Sequence, residues 1–77
     1  MKRTPVVSSQ IASIGYDKME RILEVEFTSG AVYQYEAVSP QIAEDLIAAE
    51  SVGKFFNKYI RGTFNYTKIA AEGADPA

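Results

Sequence analysis

With 77 residues, 47% of them hydrophobic, the chain is one small domain that buries only about 60% of its unfolded surface. It has no cysteine and no histidine, which excludes disulfides and leaves carboxylates as the only strong metal ligands, so zinc and iron–sulfur centres are excluded and no cofactor is expected. Ten acids against eight bases give a net charge of −2, too acidic for a non-specific nucleic-acid coat. No apolar run approaches the roughly 20 residues needed to cross a bilayer. After Lys2 and Arg3 the apolar pair Val6-Val7 gives way at once to Ser8, Ser9 and Gln10, without the core of a signal peptide. The expectation is a soluble, cytoplasmic protein with no membrane partner.

From Ser9 to Tyr16 alternation predicts a first strand, followed by a polar turn at Asp17, Lys18, Met19 and Glu20. Arg21 to Phe27 alternates strictly, with Leu23, Val25 and Phe27 on one face and Glu24 and Glu26 on the other, which is expected to face solvent. A third strand is expected from Ala31 to Val38. The loop between the two sets the register. If it held only Ser29 and Gly30, Val25 would face Gln34 and Leu23 would face Glu36, putting polar groups on the buried side. With Thr28, Ser29 and Gly30 all in the loop, Gly30 supplies the left-handed residue, Val25 pairs with Tyr33, Leu23 with Tyr35 and Glu24 with Gln34.

Ser39-Pro40 is a helix start: a capping side-chain oxygen, then a proline whose missing N–H costs nothing at the first helical position. The helix should run from Pro40 to about Glu50, with Ile42, Leu46 and Ala49 lining its apolar stripe. A second helix is expected from about Val52 to Arg61, ending at Gly62 as a left-handed cap. Phe64 to Ile69 reads as a last strand. Residues 1–69 are therefore expected to form a single domain, and residues 70–77, with Gly73 and Pro76, a disordered tail. The predicted fold is α+β, a mostly antiparallel sheet of three to four strands covered on one face by two short helices in the order β-β-β-α-α-β.

The charges are unevenly placed. Residues 1–50 hold four bases against eight acids, whereas residues 51–69 hold Lys54, Lys58, Arg61 and Lys68 and no acid at all. On a helix at about 100° per residue, Lys54, Asn57, Lys58 and Arg61 fall in one arc and Phe55, Phe56, Tyr59 and Ile60 in the opposite one. Such a face suits phosphates, with Asn57 free to touch a base or sugar, although an ordinary solvated helix face has the same pattern. Tyr33 and Tyr35 alternate on the strand in a way that can stack bases, but the register places them on the core side with their hydroxyls reaching its rim. A third group, Tyr59, Phe64 and Tyr66 near Lys68, has the mixed basic and aromatic composition of a strand-binding groove, and equally of a packed core edge.

No catalytic arrangement is apparent, since Ser8 and Ser9 have no histidine to activate them and no lysine at a telling spacing. Two functions are expected in order: a non-catalytic RNA or single-stranded nucleic-acid binder using Lys54, Asn57, Lys58, Arg61, Tyr66 and Lys68, or a protein-interaction module using a sheet edge or the aromatic rim.

The run Val7 to Asp17, the strand Leu23 to Phe27 with Gly30 after it, the triplet Tyr33-Gln34-Tyr35 and the run Gly53 to Arg61 together resemble the KTSC domain family, in the right order and over nearly the whole chain to Tyr66. That family takes its name from the C-terminus of some lysyl-tRNA synthetases. The resemblance implies an RNA-related role carried by Tyr33 and Tyr35, with Phe56, Asn57, Ile60 and Arg61 as the second matching segment. Where relatives often end aromatic-proline-aromatic, this chain has Phe64-Asn65-Tyr66.

Overall fold

The computed structural model describes residues 3–70; the expected tail from residue 71 onward lies outside them. Five antiparallel strands form one sheet in simple meander order: β1 (Arg3–Pro5), β2 (Ile11–Asp17), β3 (Ile22–Phe27), β4 (Val32–Tyr35) and β5 (Tyr66–Ala70). Between β4 and β5 the chain leaves the sheet to form α1 (Pro40–Ala48), α2 (Val52–Phe55) and a π-helical turn (Phe56–Ile60). The sheet thus has five strands where three to four were expected. The additional one, β1, is three residues of Arg-Thr-Pro paired with Ser13 to Gly15, too short and too polar to show an alternating pattern.

The hairpin register is as the sequence predicts: Val25 opposes Tyr33, Leu23 opposes Tyr35 and Glu24 opposes Gln34. Phe27 and Ala31 close the three-residue loop with a 2.8 Å hydrogen bond, and Gly30 adopts φ 102. The turn before it is shaped by Asp17, whose Oδ1 accepts from the Met19 and Glu20 N–H groups at 3.0 and 3.1 Å. Arg21 ends that turn at φ 58.

Ser39 caps α1 by accepting from the Ile42 N–H at 3.3 Å, with Pro40 in the first turn, and Ser51 caps α2 through the Lys54 N–H at 3.4 Å. Because Ser51 must be extended (φ −124, ψ 100) to cap the next helix, α1 stops at Ala48, two residues earlier than expected. Ala43 and Leu46 of α1, Val52 of α2, and Phe56 and Ile60 of the π turn pack on Ile11, Ile14, Leu23, Val25 and Tyr35 to make the core. Among the described residues, only one sheet face is covered by helices.

The opposite face corrects the expectation for Glu24 and Glu26. Glu24 is not solvent-facing but 7% exposed: its carboxylate accepts from Arg3 Nη1 at 2.7 Å and from Gln34 Nε2 at 2.8 Å, while Glu26 accepts from Ser13 Oγ at 2.7 Å. A polar ladder therefore runs across β1, β3 and β4, satisfying a carboxylate that would otherwise be costly to bury.

Candidate functional site

Direct pairing carries the core face of β3 and β4 onward to β5: Tyr66 opposes Tyr35, and Lys68 opposes Tyr33. Tyr33, Tyr35, Tyr66 and Lys68 therefore project from the same side of the sheet as the core. The helical segment covers the β2 to β4 part of that side and leaves this corner open as a cleft of about 630 Å³, walled by Tyr33, Tyr35, Tyr66, Arg61 and Phe27, with Ser9, Gln10, Thr28 and Ser29 on its polar side.

The rings form a connected array. Tyr33 and Tyr35 are near-parallel with centroids 6.4 Å apart, and Tyr66 lies 5.2 Å from Tyr33 and 5.7 Å from Tyr35. Phe56 anchors the array from below, edge-on to Tyr35 at 5.5 Å and to Phe27 at 5.4 Å. Burial grades across it: Tyr35 is 5% exposed, Tyr33 half-buried and Tyr66 58% exposed. Both expectations for Tyr33 and Tyr35 thus meet in one place, since Tyr35 belongs to the core and the pair still lines an open cleft.

Two cations border the rings. Lys68 Nζ stands 5.8 Å from the Tyr33 centroid, and Arg61 lines the cleft beyond the end of the π turn. Burial pushes the Tyr35 hydroxyl up to about 12; the Arg61 guanidinium pulls against this, and the neighbouring Tyr33 and Tyr66 phenols reinforce it. Tyr35 is consequently a neutral hydrogen-bond donor at any physiological pH.

Of the six residues expected to bind, the structure brings Arg61 and Tyr66 to the cleft, Lys68 over the Tyr33 ring beside it, and Asn57 to its rim, where Asn57 Nδ2 donates to Gln10 Oε1 at 3.4 Å. Lys54 and Lys58 are exposed but elsewhere. Lys58 lines a second groove with Ile42, Asp45, Phe55, Tyr59, Thr63 and Phe64, its Nζ 5.2 Å from the Tyr59 ring. The proposed Tyr59–Phe64–Tyr66 group is divided in the same way, Tyr59 and Phe64 lining the second groove and Tyr66 the cleft. The cause is the π turn, in which the Arg61 N–H bonds to the Phe56 carbonyl, five residues back, rather than to the fourth. One more residue per turn breaks the 100° arc on which four basic and polar side chains would align. Gln10 and the hydroxyl wall of Ser9, Thr28 and Ser29 were not singled out as binding residues, because they meet only when the β2 entrance packs on the β3–β4 loop.

The KTSC domain model matches residues 7–64, three quarters of the chain. The chain belongs to the KTSC domain family. A crystal structure of a KTSC domain protein from Yersinia pestis, 43% identical, superimposes with a TM-score of 0.85 and covers 90% of this chain and 97% of that one. An uncharacterized protein of Stutzerimonas stutzeri is 49% identical over 61 residues, 79% of this KTSC chain and 86% of its own length. A lysine–tRNA ligase of Nostoc punctiforme is 40% identical over 62 residues, 80% of this chain but 11% of the ligase, so the likeness is confined to a small part of a larger protein. No helix among the described residues is long and apolar enough to cross a membrane.

Proposed function

We propose that this KTSC domain is a non-catalytic cytoplasmic module that binds single-stranded RNA in the tyrosine cleft, stacking bases on Tyr66 and Tyr33 and holding phosphates with Arg61 and Lys68. The observation that carries this reading is the juxtaposition of three tyrosine rings with Arg61 in one open cleft and with Lys68 over the Tyr33 ring beside it. The cations also decide against the other common ligand of clustered tyrosines. An aromatic cage for a quaternary ammonium needs no positive neighbour, whereas Arg61 and Lys68 would repel such a guest. A ligand with both flat rings and negative charge suits them, and a hydroxyl wall at Ser9, Thr28 and Ser29 suits a ribose 2′-OH. That several relatives are lysine–tRNA ligases agrees with an RNA ligand without naming it.

The test is a pair of charge reversals assayed against short single-stranded RNA. Arg61→Glu with Lys68→Glu is expected to lower affinity more than tenfold, and Lys58→Glu to change it less than threefold. Equal losses in the two proteins would move the site to the outer helix face. A second reading, a protein-interaction module, is favoured by one observation: β5 is an edge strand of the sheet, with Ile69 49% exposed. It predicts no RNA binding and a peptide that pairs with β5.

A further inference from the structure

Gln10 stands at the entrance of β2 with its backbone N–H, backbone carbonyl and side-chain oxygen each engaged in a hydrogen bond. Its backbone N–H donates to Ser8 Oγ at 3.2 Å, and its backbone carbonyl accepts from the Thr28 N–H at 2.9 Å. Its side-chain Oε1 accepts from Asn57 Nδ2 at 3.4 Å. Thr28 Oγ1 adds a bond to the neighbouring Ser9 carbonyl at 3.3 Å, tying the loop to the β3–β4 turn. On the other side α2 leaves little slack, because a Cβ at Gly53 would lie 3.3 Å from Ser8 Oγ and 3.6 Å from Gln10 Oε1. The loop is thus braced from two directions, and Gln10 lines the cleft. What remains uncommitted on this residue, among the described residues, is the pair of N–H donors on Nε2.

Resting on the RNA reading above, we propose that Gln10 is the base-reading residue of the cleft and that Asn57 is its positioning residue. Nε2 donates to an acceptor on the edge of a base stacked against the tyrosines, and Asn57 holds Oε1 so that the amide presents donors only. A donor-only amide favours a base whose edge is rich in carbonyl acceptors, such as uracil with O2 and O4, over adenine, which offers it ring nitrogens but also an N6 amino group that it can meet only donor to donor. Asn57 therefore acts on the choice of base rather than by touching the ligand. The hydroxyls of Ser9, Thr28 and Ser29 have no such fixed polarity, since a hydroxyl rotates to donate or accept.

The experiment compares short oligouridylate with oligoadenylate by fluorescence anisotropy for the wild type, Gln10→Ala and Asn57→Asp, with circular dichroism confirming the fold of each. Both positions are exposed, so folded variants are expected. The wild type should prefer oligouridylate by about fivefold, the worth of one neutral hydrogen bond, and Gln10→Ala should bind both equally. In Asn57→Asp the new carboxylate can only accept, so it turns the Gln10 amide over and presents Oε1 to the cleft. Both affinities fall with the added charge, but the ratio moves towards oligoadenylate. An unchanged ratio in Gln10→Ala overturns the assignment, as does a wild type that binds both oligonucleotides equally, which leaves the RNA reading standing. A wild type that binds neither overturns both.

Discussion

At the scale of single residues, backbone and side chain carry separate costs that substitution can expose. Arg21 and Ala37 both hold φ 58, a conformation that crowds a Cβ and is cheap for glycine. Ala37→Gly removes the crowding but loosens the unfolded chain, and the net expected gain is roughly 0.5–1 kcal/mol in urea unfolding. On the uncovered sheet face, Arg3→Ala leaves Glu24 with Gln34 as its remaining side-chain partner and should cost about 1 kcal/mol, a modest figure because Arg3 is itself 31% exposed and water screens the pair. Tyr35 predicts an alkaline signature. Its hydroxyl titrates near 12 in the folded protein against about 10 when unfolded, so the folded state holds the proton more tightly. That contribution is complete below pH 10 and is lost as pH rises from there towards 12. In an absorbance titration one tyrosine should lag behind the rest, and Tyr35→Phe should abolish the lag. Gly30 was legible in the sequence because a polar mismatch excluded the shorter loop. Glu24 was not, because its partner Arg3 lies 21 residues away on a strand without a pattern of its own.

At the scale of elements, the β3–β4 hairpin, the Ser39 cap and the left-handed Gly62 were readable because each is determined by residues within a few positions of one another. The π turn was not. A periodicity argument assumes 3.6 residues per turn, and nothing local in Phe56-Asn57-Lys58-Tyr59-Ile60 announces an added residue; the turn satisfies the packing of both Phe56 and Ile60 in the core. It follows that removing one residue from it should be tolerated. Deleting Lys58 restores ordinary i→i+4 bonding while Ile60 stays in the core and Arg61 stays beside Tyr35, so the deletion variant should fold and bind RNA within about threefold of wild type. Unfolding of that variant would mean that the turn is required for more than spacing. The same turn explains why Arg61 lines the cleft apart from Lys54 and Lys58, with which the helical arc had grouped it.

At the scale of the whole molecule, an acidic stretch from 1 to 50 and a base-only stretch from 51 to 69 fold so that Arg61 lines the aromatic cleft and Lys68 stands over its Tyr33 ring, while Lys54 and Lys58 lie elsewhere. That division has a measurable consequence. Each phosphate neutralised on a single strand contributes about −0.7 to the slope of log affinity against log salt, so two contacts predict about a sevenfold loss of affinity between 0.05 and 0.2 M salt, and four predict about fiftyfold. The one-sided sheet was foreseeable in outline from alternation; the cleft at its β4–β5 corner was not, because it depends on which strand β5 pairs with. Which cations share the cleft was decided by tertiary packing, beyond the reach of any spacing rule. The most direct measurement is therefore an amide-shift titration of the 15N-labelled protein with single-stranded RNA at those two salt concentrations. Shifts gathered at Gln10, Tyr33, Tyr35, Arg61, Tyr66 and Lys68, with about a sevenfold weakening at the higher salt, are the predicted result. Shifts confined to Lys54, Lys58 and Tyr59, or none at low salt, would contradict the account.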